Sequence, residues 1–255
     1  MRKLLLMAVM IVTVITTGAC AVKKIDTSHT TGSTKNIPVK AVTSWDRILE
    51  ENKIVIGTDG STFNKNLAES LKKEMGVDVE IISYSDFEKA GEAVKNGEID
   101  MYLGMFPKET ALSIDYYLSE PYLQSTSVVV SLSQDYKINK KEDTVAVLKN
   151  SAEEKTVSMY CDNYKAYNSV GAMFLALNSS QASSVLIDEI VFEKSGYNTN
   201  KYFVCDSYPY NLVAIFNENE SDIAKEMNIY LAKIKASGTA SEISRENFGK
   251  DIIYK

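Results

Sequence analysis

At 255 residues the chain can form one large domain or two small ones, with enough core to bury in either case. Its formal charge of −6 and pI near 5.1, without any long basic block, remove the electrostatic footprint that nucleic-acid binding requires. A polyanionic partner is excluded on the same ground, and no metal or cofactor motif is present.

Taken in order, the chain opens with Arg2 and Lys3 ahead of the apolar run Leu4 to Ile15, followed by Thr17, Gly18, Ala19 and Cys20. This reads as an export signal, and the run is short for a membrane span. Small residues directly before Cys20 resemble the lipobox of bacterial lipoproteins, although Thr17 stands where an aliphatic residue is usual. The resemblance implies a signal peptide over residues 1–19, cleavage before Cys20 and acylation of its thiol; an ordinary signal peptide with an incidental cysteine is the alternative. Loss of Arg2 and Lys3 takes the charge from −6 to −8, so the acyl chain would have to hold the protein to the membrane.

Residues 20–43 are rich in Lys, Thr and Ser without helical or strand period and read as a flexible tether. The only histidine, His29, lies there. A Ser-His-Asp triad, a His-paired cysteine nucleophile and a His-containing metal site are thereby excluded from the fold. Cys161 and Cys205 could pair in an exported protein, but they have neither Cys-x-x-Cys spacing nor a nearby His; two thiols at strand ends is the simpler expectation.

The globular pattern begins at Ser44. A short capped helix carries Trp45, Ile48 and Leu49 on one face, and the strand Lys53 to Thr58 follows. After the turn Asp59-Gly60-Ser61, Phe63, Leu67, Leu71 and Met75 recur every four residues until Gly76 stops the helix. Val77 to Ile82 reads as a strand, and Ser85-Asp86 caps a helix through Phe87, Ala90 and Val94 that stops at Gly97. Ile99 to Leu103 is a short apolar strand broken by Gly104, and Ser119 to Tyr122 is a Ser-Glu-Pro-Tyr turn.

Ser125 to Ser133 is a strongly β-prone strand, and the polar stretch after it suggests a lobe boundary at 131/132. A second series is expected next. It comprises strand Thr144 to Leu148, a polar turn, strand Thr156 to Cys161, a helix through Ala172 and Leu177, strand Ser184 to Ile187, a helix through Phe192, and strand Tyr202 to Cys205. Ser207-Tyr208-Pro209-Tyr210 then breaks the pattern, Leu212 to Phe216 is a strand, and Ser221 to Ala236 is a long amphipathic helix. Strands alternating with helices argue for an α/β fold with mainly parallel sheets built from βαβ units, in two lobes with a ligand cleft between them.

Four collinear stretches resemble one family: Ile54 to Gly60 (IVIGTDG) with Asn66 to Ile82; Asn96 to Pro107 (NGEIDMYLGMFP) with Leu118 to Tyr122; Ala182 to Asp188 (ASSVLID); and Ile229 to Gly249. Together they resemble the bacterial extracellular solute-binding proteins of amino-acid ABC importers, family 3. That resemblance implies a two-lobed type II periplasmic-binding fold joined by two hinge strands, near Ser125 to Ser131 and Pro209 to Ile215. Residues 44–131 and 212–255 would form the first lobe and 132–211 the second. It also implies a monomer that closes on a small solute and presents itself to a membrane permease.

The same resemblance makes departures visible. With Asp100 and Ser119 as fixed landmarks, the family's carboxylate-gripping arginine falls on Leu112 and its neighbouring threonine on Pro107. Asp188 matches the ammonium-binding aspartate, with a helix cap as the equally open alternative. The aromatic first loop is absent, leaving Asp59, Ser61, Phe63, Tyr84, Met105 and Phe106 to line that side, with ordinary core packing as the alternative for Met105 and Phe106. In the second lobe Ser151 keeps the hydroxyl of an anion-cradling turn whose glycine is Asn150.

Two functions follow as expectations: a lipid-anchored solute-binding protein for an amine-bearing or cationic solute, without the usual carboxylate clamp, or a surface lipoprotein that has lost transport and acts as a sensor or interaction module. A family-related enzyme of the cyclohexadienyl dehydratase kind has no acid/base pair in the sequence to support it, and a binding function without catalysis is expected.

Overall fold

The structure is a computed structural model that describes residues 42–104, 106–111 and 114–255, all within one compact unit. The expected signal peptide and most of the tether, with Cys20 and His29, lie outside the described residues, as do Met105 and Leu112.

The first half builds as its pattern dictates. Helix α1 (Ser44–Glu51) starts in a reciprocal capping box between Thr43 and Asp46 and buries Trp45 and Ile48. Strand β1 (Lys53–Thr58) leads through a Ser61 cap into α2 (Thr62–Met75), which ends at Gly76 with φ +72°. Then come β2 (Asp78–Ser83), α3 (Phe87–Lys95) capped by Asp86, β3 (Met101–Leu103), α4 (Lys108–Ala111) and β4 (Tyr116–Leu118).

The second half runs β5 (Leu123–Ser131), β6 (Thr144–Leu148), α5 (Ala152–Thr156), β7 (Asn163–Tyr167), α6 (Val170–Asn178), β8 (Ser184–Asp188), α7 (Glu189–Lys194) and β9 (Phe203–Leu212). The chain then returns through β10 (Ile215–Asn217) to α8 (Ser221–Ala236) and α9 (Thr239–Phe248). No described helix is long and apolar enough to cross a membrane.

The strands form two five-stranded sheets, ordered β2-β1-β3-β10-β4 and β7-β6-β8-β5-β9. Each is mixed rather than simply parallel: β10 and β5 each run antiparallel to both neighbours, while the remaining strands share one direction. Both reversed strands arrive from the other half of the chain. A connection that crosses between sheets without looping over a helix enters from the opposite end, which reverses its direction. This is the two-lobed type II periplasmic-binding fold.

Several sequence expectations need correction. Strand β5 lies wholly in the second sheet, paired along its length with β9 and with β8, so the first crossing falls before Leu123 and not at 131/132. The expected strand Thr156 to Cys161 is the end of α5 followed by a 3-10 turn over Val157–Met159, because the Ser151 cap commits the chain to a helix; the strand starts at Asn163. Pro209 does not break the pattern. It sits in β9, an edge strand, where a missing N–H costs no ladder bond. The strand expected from Leu212 is confined to Ile215–Asn217.

The landmarks at either end of residues 96–122 are structural. Asp100 is buried, accepts the Val55 N–H at 2.7 Å and pairs with Arg47 of α1. Ser119 Oγ accepts the Ala214 N–H at 2.9 Å, holding the return crossing, and the buried Tyr122 donates to the Gly104 carbonyl oxygen at 2.7 Å. Gly104 is required there because a Cβ would meet the Tyr102 ring at 2.3 Å. Cys161 is buried and Cys205 partly exposed, both as free thiols.

Candidate functional site

Two adjoining cavities meet at Asn150. The smaller, about 230 Å³, is lined by Asp59, Tyr84, Ser85, Phe87 and Tyr102 of the first lobe and by Asn150. The larger, about 400 Å³, lies between α5, α7 and the ends of β5, β8 and β9 on one side, and the chain from Asn247 to Ile252 on the other. It falls in the usual size range of small-molecule sites, roughly 300–1,000 Å³.

The first-lobe candidates divide. Asp59 and Tyr84 reach the smaller cavity, but Asp59 Oδ1 already accepts the Ser61 N–H (2.9 Å), the Ser61 hydroxyl (2.6 Å) and the Asn64 amide (3.0 Å). Ser61 is spent as the α2 cap, its Oγ accepting the Asn64 N–H at 3.2 Å. Tyr84 meets Tyr102 edge to face at 6.5 Å, and burial, then the Glu98 charge, raise its phenol pKa. Phe63 packs on Phe248 at 4.9 Å within the main core, and Phe106, fully buried, packs on Phe87 at 3.9 Å. For Phe106 the core-packing alternative is the one the structure adopts.

Pro107, where the resemblance implies a threonine, is engaged in an isolated bridge to Leu212. Among the described residues no arginine lines either cavity. Arg47 is on α1 with Asp100 and Glu51, and Arg245 is on α9 beside Asp251.

In the second lobe, Asn150 adopts φ +61°, as an anion-cradling turn needs. Its N–H, however, donates to Glu154 Oε2, and Ser151 Oγ accepts the Glu154 N–H at 3.2 Å. The chain's own carboxylate thus occupies the donor a ligand anion would use.

Asp188 ends β8 and caps α7. Its Oδ1 accepts the N–H groups of Ile190 (2.9 Å) and Val191 (3.2 Å), and its Oδ2 accepts the hydroxyls of Ser125 and Tyr210 (3.0 Å). Beside it lies a residue that sequence reading missed. Glu153, 3% exposed, lines the larger cavity and accepts the Ser127 hydroxyl at 2.9 Å. Burial and then the Asp188 charge push its carboxyl up to about 7, against hydrogen bonds from its own N–H, Ser127 and Ser151. In sequence Glu153 looks like an ordinary acid in a helix first turn, since nothing local reveals that it faces inward. Tyr210 and Phe248 were likewise passed over as site residues.

The lobes are linked around these cavities. Lys155 of α5 pairs with Glu88 of α3 at 3.6 Å and lies 5.1 Å over the Phe87 ring. At the chain end Lys250 contacts Glu189 (2.7 Å) and Glu193 (3.3 Å), and Lys194 donates to the Asn247 carbonyl oxygen at 3.1 Å.

A sequence profile of the bacterial extracellular solute-binding proteins, family 3, matches residues 49–250. A search of curated proteins gives no match. Solved structures with the same fold include a substrate-binding protein of an ABC uptake transporter from Streptococcus pneumoniae with bound histidine, 18% identical at a TM-score of 0.63 over 83% of this chain and 98% of that one. The arginine-, lysine-, histidine-binding protein ArtJ from Geobacillus stearothermophilus is 20% identical at a TM-score of 0.61, over 78% of this chain and 96% of that one. The ancestral amino-acid-binding protein AncCDT-1, a precursor of cyclohexadienyl dehydratase, is 19% identical at a TM-score of 0.62, over 81% of this chain and 100% of that one.

Proposed function

The chain belongs to the bacterial extracellular solute-binding proteins, family 3, and on that premise we propose that it is a lipid-anchored binding protein of an ABC importer for a small, amine-bearing solute. The solute lies between the lobes and is held without the carboxylate clamp used for ordinary α-amino acids. Lobe closure around it would present a defined surface to the permease.

One observation carries this reading: the larger cavity is walled by apolar side chains, contains the two buried acids Asp188 and Glu153, and has no arginine among its described lining residues. The structures bound to histidine or described as binding arginine, lysine and histidine share the fold, and the acids of this cavity suit the amine of a solute. Cys20 supplies the anchor, holding the protein at the outer face of the cell membrane through residues 20–43. Its acylation is checked by incorporation of labelled fatty acid, which Cys20→Ser abolishes.

A thermal-shift screen of residues 41–255 against amino acids, amines, peptides and sugars tests the ligand class. A solute at 100 times its Kd adds about 2.7 kcal/mol. Stabilisation by amines supports the reading; a chain that no small solute stabilises, and whose deletion leaves amine uptake unchanged, is instead the sensor or interaction module. The observation favouring that second reading is the commitment of Phe63, Ser61 and Phe106 to packing and capping in the first lobe.

A further inference from the structure

We propose that Glu153, and not Asp188, is the counter-ion for the bound solute, and that the solute is a carboxylate-free amine with an apolar body seated in the larger cavity. This rests on the reading that the inter-lobe region holds a small solute, and it names the group that selects it.

Asp188 is the residue whose position suggests ammonium binding, but its acceptors are used. An ionised carboxylate has about four lone-pair sites, and Asp188 receives four donors, two from the α7 backbone and two from the hydroxyls of Ser125 and Tyr210. An incoming ammonium would have to displace one of them. Glu153, on α5 and also a residue of the cavity lining, accepts the Ser127 hydroxyl at 2.9 Å, with its own N–H and the Ser151 hydroxyl also turned to the carboxylate, three donors against four at Asp188.

Among the described residues no basic side chain neutralises Glu153. The charge that acts on it most is that of Asp188, a second acid, and Lys194, the basic residue of the lining, directs its ammonium to the Asn247 carbonyl oxygen. An uncompensated carboxylate next to another, among Leu148, Ile187 and Phe248, is unfavourable, and a cation placed between these walls relieves it. An α-carboxylate has the opposite experience. It would meet two acids and a turn whose Asn150 donor is already taken by Glu154. Discrimination against zwitterionic amino acids therefore comes from repulsion as well as from missing donors.

The binding event is proton-linked. Besides Glu153, the titratable groups facing the cavity are Asp188 from β8, Tyr210 from β9 and Lys194 from α7; β5 contributes only hydroxyls, and the chain from Asn247 to Ile252 lines it with Asn247, Phe248 and Ile252. Of the other charged residues on α5, Glu154 turns back to Asn150 and Lys155 points to Glu88. Helix α4, which also packs on α5, carries Lys108 and Glu109. Taking up an ammonium requires Glu153 ionised, so the proton leaves the carboxyl to solvent as the amine binds.

The experiment uses the whole chain purified in detergent and two matched pairs of probes, tyramine with tyrosine and agmatine with arginine, titrated by calorimetry at pH 6, 7 and 8. The expected result is that an amine binds more tightly than its amino acid, gains affinity by up to about tenfold per pH unit below the Glu153 pKa, and levels off above it. Glu153→Gln, which keeps size and shape, lowers the amine affinity at least tenfold at pH 8 and flattens the pH dependence. Should that variant fail to fold, Glu153→Ala is titrated against the same probes at pH 8 in its place, and it must show the same loss of amine affinity.

Unchanged amine affinity in Glu153→Gln, a flat wild-type profile, tighter binding of tyrosine or arginine than of the amines, or no binding of either amine overturns the proposal. Tight binding of an amino acid or sugar overturns it while leaving the solute-binding reading standing; only the absence of binding by every solute class removes both.

Discussion

The two cavity walls come from sheets of matching strand direction, yet they have been put to different uses. On the first-lobe side Phe106 and Phe63 are buried in the core, and Asp59 and Ser61 bond to each other around the start of α2. On the second-lobe side Glu153 and Asp188 are as deeply buried but face an open volume of about 400 Å³. Burial by itself therefore says little about function. What sets Glu153 apart, from Ser61 and from Asp188 alike, is that it holds uncompensated charge beside a cavity while their polar atoms have spent their hydrogen-bonding capacity on the fold.

The largest expected effect tests the packing side. Phe106→Ala should cost about 3–5 kcal/mol in chemical denaturation, because it removes a fully buried ring packed on Phe87. A variant that loses solute affinity while keeping its stability would move Phe106 back into the site.

Asp188→Ala comes next, at about 1–3 kcal/mol, since it strips the α7 cap and orphans the Ser125 and Tyr210 hydroxyls. If denaturation shows no loss while amine binding vanishes, Asp188 is the ligand group and the contrast with Glu153 collapses.

Glu153→Gln is expected to act in the other direction. The folded carboxyl titrates near 7 against an ordinary value of 4.5, so between those pH values the unfolded chain has already released the proton that the folded chain retains. Stability from this group is fully present below about 4.5 and is lost as pH rises toward about 7. Ligand-free Glu153→Gln should thus gain on the order of 1–3 kcal/mol at pH 8 and show a flatter stability profile from pH 5 to 8 by thermal unfolding.

The smallest effect belongs to the inter-lobe contact at the rim. Lys155→Ala removes an ion pair whose Glu88 side chain is 79% exposed. It should change stability by no more than about 1 kcal/mol, and less at high salt. A larger or salt-independent change would indicate that the Phe87 ring contact is the stronger half of that link.

Much of this molecule was legible from local patterns, because those patterns are local in cause. The Gly76 stop and the four-residue apolar spacing of α2 each follow from a few neighbouring residues, and the landmarks around Asp100 and Ser119 to Tyr122 identified the fold. The polar turn at Asn150 and Ser151 was also readable, and Asn150, a residue type that tolerates positive φ, adopts one. Expectations failed where partners distant in sequence decide. Strand β5 could be assigned to a sheet only by its pairing with β8 and β9, and Pro209 was tolerable only because β9 is an edge. The same limit applies to the site. The sequence by itself determined that no arginine stands between Arg47 and Arg245 and that an acid stands at 188. That Asp188 is saturated, that Glu153 faces a cavity without a compensating cation, and that the end of the chain closes that cavity were decided by tertiary structure alone, since hydrogen-bond saturation and desolvation depend on groups brought together from β5, β8, β9 and the segment after α9.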